Sequence, residues 1–232
     1  MSRIEYQAEL KSLHNDIITM GSRVEEQFQS SIQALLELDP ERARAVIAGD
    51  DEIDRAEQEI HHACVLLIAR QQPVASDLRD LTANMRLITD LERIADHAED
   101  ISQLLLELTE LGDQVMIPHD FVTMTSHAQR ILREALNAYV TRQLPDAELA
   151  IAAKADVSNL YQKLKAYLTR QMQLDAEAAP SLVNLLLIAA DLERAAAHAQ
   201  NVAEWVIYFV SGQYARDFEE WESQDGLSDL RR

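Results

Sequence analysis

The 232-residue chain contains one cysteine, Cys64, so an intramolecular disulfide is excluded. Five glycines and five prolines leave little material for turns. The scarcity of glycine also argues against a phosphate cradle built from backbone amides. Gly-rich phosphate loops, Gly-x-Ser-x-Gly, Cys-x-x-Cys and His-Glu-x-x-His are all missing, and no catalytic signature takes their place. The most apolar run, Leu182 to Ala190, is interrupted by Asn184 and is far shorter than the ~20 residues that span a bilayer. The N-terminal stretch MSRIEYQAELKSLHND lacks the apolar core of a signal peptide, so a cytoplasmic location is expected. Basic charge is scarce as well: 21 Lys and Arg against 40 Asp and Glu give a formal charge of -19. Such a surface repels nucleic acid, anionic membranes and free anions. It suits metal cations and basic protein partners, and it also simply favours solubility.

What is abundant is Ala, Leu, Glu, Gln and Arg, all good helix formers. Breakers punctuate the chain at Asp39-Pro40, Gln72-Pro73, Gly112 with Pro118, Leu144-Pro145, Pro180 and Gly212. Between them apolar residues follow a three-four spacing, as in Leu78, Leu81, Met85, Ile88, Leu91, Ala95, Ala98, Ile101, Leu105 and Leu108. The fold class expected is all-α, with six helices of roughly 25 to 37 residues packed antiparallel across short loops. Asp39 is placed to cap the second helix, with Pro40 at its first position, and Ser76 to cap the third. Cys64 falls in the apolar stripe Ile53, Ile60, Cys64, Leu67 and reads as a buried structural thiol.

The chain then repeats. Asp90-Leu-Glu-Arg-Ile-Ala-Asp-His-Ala-Glu-Asp-Ile101 returns 101 residues later as Asp191-Leu-Glu-Arg-Ala-Ala-Ala-His-Ala-Gln-Asn-Val202, with seven of twelve positions identical. Ile18-Thr19-Met20 is echoed by Val122-Thr123-Met124, 104 residues on. A unit of three helices has therefore been duplicated. The divisions expected are residues 1–112, residues 113–213 and a tail of 214–232, in which Tyr214, Phe218 and Trp221 share a helical face and the end from Ser223 frays.

Two acidic lines stand out. Glu92 and Asp96 share one face of the third helix, and Asp100 extends that line by a turn. Asp50, Asp54, Glu57 and His61 form a second line on the second helix. If the two helices are neighbours, the lines converge on a carboxylate-rich patch suited to hard or borderline cations such as Mg, Mn, Ca or Fe. The competing reading is a solvated acidic face neutralised by Arg55, Arg86 and Arg93. Glu59 and His62 form one Glu-x-x-His, but di-iron bundles need two copies and no second is present. His97 and His198 occupy equivalent repeat positions and read as structural or interfacial.

Leu91-Glu-Arg-Ile-Ala-Asp-His-Ala98 and its second copy resemble the paired signature of the PhoU family. Ala69-Arg-Gln-Gln-Pro-Val-Ala-Ser-Asp-Leu-Arg79, Thr19-Met-Gly-Ser-Arg-Val-Glu25 and Trp205-Val-Ile-Tyr-Phe-Val-Ser-Gly212 resemble its other conserved stretches, in order, from about residue 5 to 213. The resemblance implies two similar three-helix bundles and a negative regulator of phosphate uptake that acts through protein contacts. The partners implied are the cytoplasmic subunits of the phosphate ATP-binding-cassette transporter and a sensor histidine kinase, with a homodimer as the common assembly. Some family members bind multinuclear metal clusters through Glu/Asp-x-x-x-Asp motifs. Asp50-x-x-x-Asp54 and Glu92-x-x-x-Asp96 fit that pattern. In the second repeat Glu193 is followed by Ala197, while Lys154 and Ser158 stand where Asp50 and Asp54 do. The alternative carried alongside is a metal-binding or metal-storage bundle; no organic cofactor is implied by either reading.

Overall fold

A computed structural model describes residues 3–112 and 116–215. These form six helices: α1 (Arg3–Glu37), α2 (Pro40–Gln71), α3 (Ser76–Glu110), α4 (His119–Thr141), α5 (Leu144–Leu174) and α6 (Ala179–Ser211), with no strand among the described residues. Five helices fall within the expected lengths; α4, at 23 residues, is shorter.

The breakers act where the sequence puts them. Asp39 accepts hydrogen bonds from the N–H groups of Glu41 and Arg42, and Pro40 opens α2 where its missing N–H costs nothing. Those amide contacts, led by Arg42, hold the Asp39 carboxyl below its ordinary range. Gly212 ends α6 in the left-handed region at φ 80°, its N–H bonded to the Tyr208 carbonyl. Ser76 departs from expectation. It is the first helical residue, and Ala75 precedes it at φ 50° with no side-chain cap. The connection turns through two positive-φ residues, Gln72 in the left-handed helical region and Ala75 outside it, and main-chain bonds from Asp77 to Val74 and from Arg79 to Ala75 start the helix instead.

α2 packs on α1 and α3, α5 packs on α4 and α6, and α3 against α6 forms the most extensive helix pair. That pair is rich in small buried residues, including Ala95 and Ala98 on α3 and Ala195, Ala199 and Ala203 on α6. Small side chains at a crossing let two long helices approach closely. A second close approach joins the repeats at Gly21 on α1, where a Cβ would lie 2.7 Å from Leu136 Cδ2 on α4. Cys64 is buried with its stripe partners, and burial pushes its thiol up to about 12. Leu78 is the exception in the third-helix stripe, exposed in the first turn of α3. Tyr214 stacks on Tyr208 with ring centroids 4.5 Å apart. Phe218, Trp221 and the end from Ser223 lie outside the described residues.

Candidate metal centre and inter-repeat network

Because α2 and α3 are neighbours, their acidic lines do meet. Asp50 and Asp54 from α2 and Asp96 from α3 each bring a carboxylate oxygen within 4.8 Å of the others. Asp50 is buried, and Gln27 on α1 fixes it: the Gln27 Nε2 donates to Asp50 Oδ1 at 3.0 Å and to the Val46 carbonyl at 3.4 Å. Burial, followed by Glu99, Asp54 and Asp96, raises the Asp50 carboxyl to about 6 against the lowering influence of the Gln27 bond. Glu92 rises to about 7, first through burial and then through Asp96, Asp54 and Glu57. Glu57 is half-buried and accepts from Thr89 Oγ1 at 3.3 Å; His61 is exposed.

Of the three arginines suggested as neutralisers, Arg93 reaches the cluster, 2.8 Å from Asp96 and 3.5 Å from Glu92, from a half-exposed position. Arg55 instead bonds the main-chain carbonyl of Asp51. The cluster thus keeps more negative charge than its own cations offset. A donor set made only of carboxylate oxygens, with buried members driven towards protonation, fits a hard or borderline cation.

Asp100 leaves this line. Eight residues beyond Glu92, an α-helix has turned roughly 80° past two full turns, which carries Asp100 from the α2 side towards α6. There it groups with His97 and Asp191. Burial and then the Asp191 charge raise its carboxyl.

The repeated motif forms a reciprocal pair across α3 and α6. Asp90 accepts from His198 Nδ1 at 2.8 Å, Asn201 Nδ2 at 3.0 Å and Trp205 Nε1 at 2.8 Å. Asp191 faces His97 Nδ1 at 3.2 Å and binds Arg194 Nη2 at 2.5 Å. Each copy's first residue thus holds the other copy's histidine, and the two imidazoles lie 5.7 Å apart. This gives His97 and His198 the interfacial role expected of them. A further polar chain runs from His14 through Asp80 and Asn84 to the Tyr139 hydroxyl, joining α1, α3 and α4.

Glu193 sits in a different setting. Lys154 Nζ lies 2.5 Å from Glu193 Oε1 and 2.7 Å from Ser158 Oγ, and Ser158 Oγ donates to the same carboxylate oxygen at 3.1 Å. Among the described residues Glu193 therefore joins no carboxylate cluster.

The sequence alone assigned no individual role to Gln27, Asp90, Asn201 or Trp205. Gln27 had a faint signal, a lone amide within the apolar stripe Met20, Val24, Phe28. Asp90 and Asp191 had a stronger one, since an acidic residue opens both copies of the motif.

Comparison with known proteins follows the same two-part organisation. The PhoU domain family matches residues 17–105 and 121–206. The phosphate-specific transport system accessory protein PhoU homolog of Clostridium acetobutylicum is 34% identical over 218 residues, spanning 92% of this chain and 97% of the relative. The PhoU protein of Escherichia coli K12, named in the same way, is 32% identical over 209 residues, 90% of this chain and 86% of its own. The crystal structure of PhoU from Pseudomonas aeruginosa superposes with a TM-score of 0.85 at 32% identity, covering 90% of this chain and 100% of that one. PhoU of Streptococcus pneumoniae, a phosphate transport system regulatory protein, gives 0.83 at 26% identity, covering 90% of this chain and 99% of that one. With both repeats matched in order and the six-helix arrangement shared, the chain belongs to the PhoU family.

Proposed function

We propose that this protein is a cytoplasmic negative regulator of phosphate uptake and of the phosphate-starvation response. It works as a non-catalytic adaptor between the cytoplasmic subunits of the phosphate transporter and a sensor histidine kinase, and as a homodimer. The observation that carries this reading is the match over both repeats to relatives named as accessory proteins of phosphate-specific transport. Among the described residues no helix is long and apolar enough to cross a membrane, which agrees with a protein that reaches a transporter through its surface. Tagged protein from phosphate-replete cells is expected to co-purify with both the transporter's cytoplasmic subunits and the kinase. Recovery of neither partner would contradict the adaptor role.

Within this role we assign a divalent or trivalent cation to Asp50, Asp54, Glu92 and Asp96, with Glu57 at the margin. The support is the convergence of Asp50, Asp54 and Asp96 within 4.8 Å and the incomplete neutralisation of the cluster. Bound there, the ion supplies charge neutralisation that ties α2 to α3. The storage alternative draws no comparable support, because Glu193 is paired with a lysine.

A further inference from the structure

We infer that the second repeat carries its own tethered cation, the Lys154 ammonium, in the place where the first repeat is built for a metal, so that metal acts on the first repeat alone. This rests on the metal reading of the first repeat and goes beyond it, because it assigns the two halves different dependence on metal.

The repeat offsets align the two sites residue by residue. Asp50 corresponds to Lys154, Asp54 to Ser158, Glu92 to Glu193 and Asp96 to Ala197. Gln27, which orients Asp50, corresponds to Ile131, and Ile131 is fully buried. Every change works in one direction. Three carboxylates and the amide that positions one of them are gone, and a single cation has been added.

The geometry of the replacement is complete. The ammonium lies 2.5 Å from the Glu193 carboxylate, and Ser158 bridges both groups. With 14% of its side chain exposed, Lys154 is held between α5 and α6 and not splayed into solvent. In the first repeat Glu92 has no such partner; Arg93 reaches it from a side chain 54% exposed, at 3.5 Å. A protonated amine offers three donors and no lone pair, so it satisfies a carboxylate and repels an incoming metal. The second site thus carries its own counter-ion on the chain, whereas the first has no such internal cation and takes its neutralising charge from outside. Metal availability then alters α2 and α3 and leaves α5 and α6 unchanged.

The test uses the full chain and Mn2+, with bound metal counted by elemental analysis after desalting and helicity checked by circular dichroism. The wild type is expected to bind Mn2+, and D50N/D96N to bring it to background. E193Q is expected to leave it unchanged. K154D/S158D/A197D is expected to double the bound Mn2+, with the added half surviving D50N/D96N. Mn2+ that persists in D50N/D96N and is released by E193Q would overturn the inference, as would loss of wild-type Mn2+ on E193Q alone. If the wild type binds none, the first-repeat reading has failed. The folded triple variant then decides the second site: metal gained upholds the lysine's role, and none gained overturns it.

Discussion

Asp50 and Glu92 stand at about 6 and about 7, well above the ordinary carboxylate values near 4 that the unfolded chain presents. Between those limits the folded state holds protons that the unfolded state has released. The stability that these groups contribute is therefore full below about pH 4 and lost as pH rises through about 7. Metal-free protein is expected to melt at a lower temperature at pH 8 than at pH 5.5, and D50N/E92Q to flatten that difference. Added Mn2+ should raise the melting temperature more at pH 8 than at pH 5.5, because protons and metal compete for the same oxygens. Differential scanning calorimetry at the two pH values checks both signs. At Asp90, substitution by Ala leaves the His198, Asn201 and Trp205 donors without their acceptor, and a loss of about 1–3 kcal/mol is expected in urea unfolding. The approach of Asp50 and Asp54 to Asp96 could be read from sequence because i, i+4 spacing along a helix is a local property. The Asp90–His198 bond could not, since it spans 108 residues and depends on how α3 meets α6.

At the scale of the helix, ends are set by a few residues with special backbone demands. Gly212 combines φ 80° with the Arg79 guanidinium so near that a Cβ would lie 2.3 Å from Nη1. G212A is expected to cost about 1–2 kcal/mol through left-handed strain and crowding, measured by urea unfolding. In an R79A background the crowding is gone and the same substitution should cost less, which a double-mutant cycle resolves. The prolines and glycines announced the helix boundaries because they act on their own backbone. The start of α3 was misjudged by one residue, because the positive-φ turn at Ala75 has no composition signal and displaces Ser76 from the cap. Asp100 was misplaced for a related reason: helical drift over two turns moves a side chain onto another neighbour.

Across the whole molecule, duplication makes the two halves alike in their helices and in the Asp–His exchange, while the acidic centre belongs to the first half. A charge of -19 on a bundle with few glycines disfavours direct capture of phosphate. The role proposed for this protein is to keep the phosphate-starvation response off while phosphate is plentiful. The measurement that tests it most directly is alkaline phosphatase activity, or another starvation reporter, in phosphate-replete cells lacking the gene. High reporter activity that falls again when the gene is restored is expected; repression unchanged by the deletion would overturn the regulatory role.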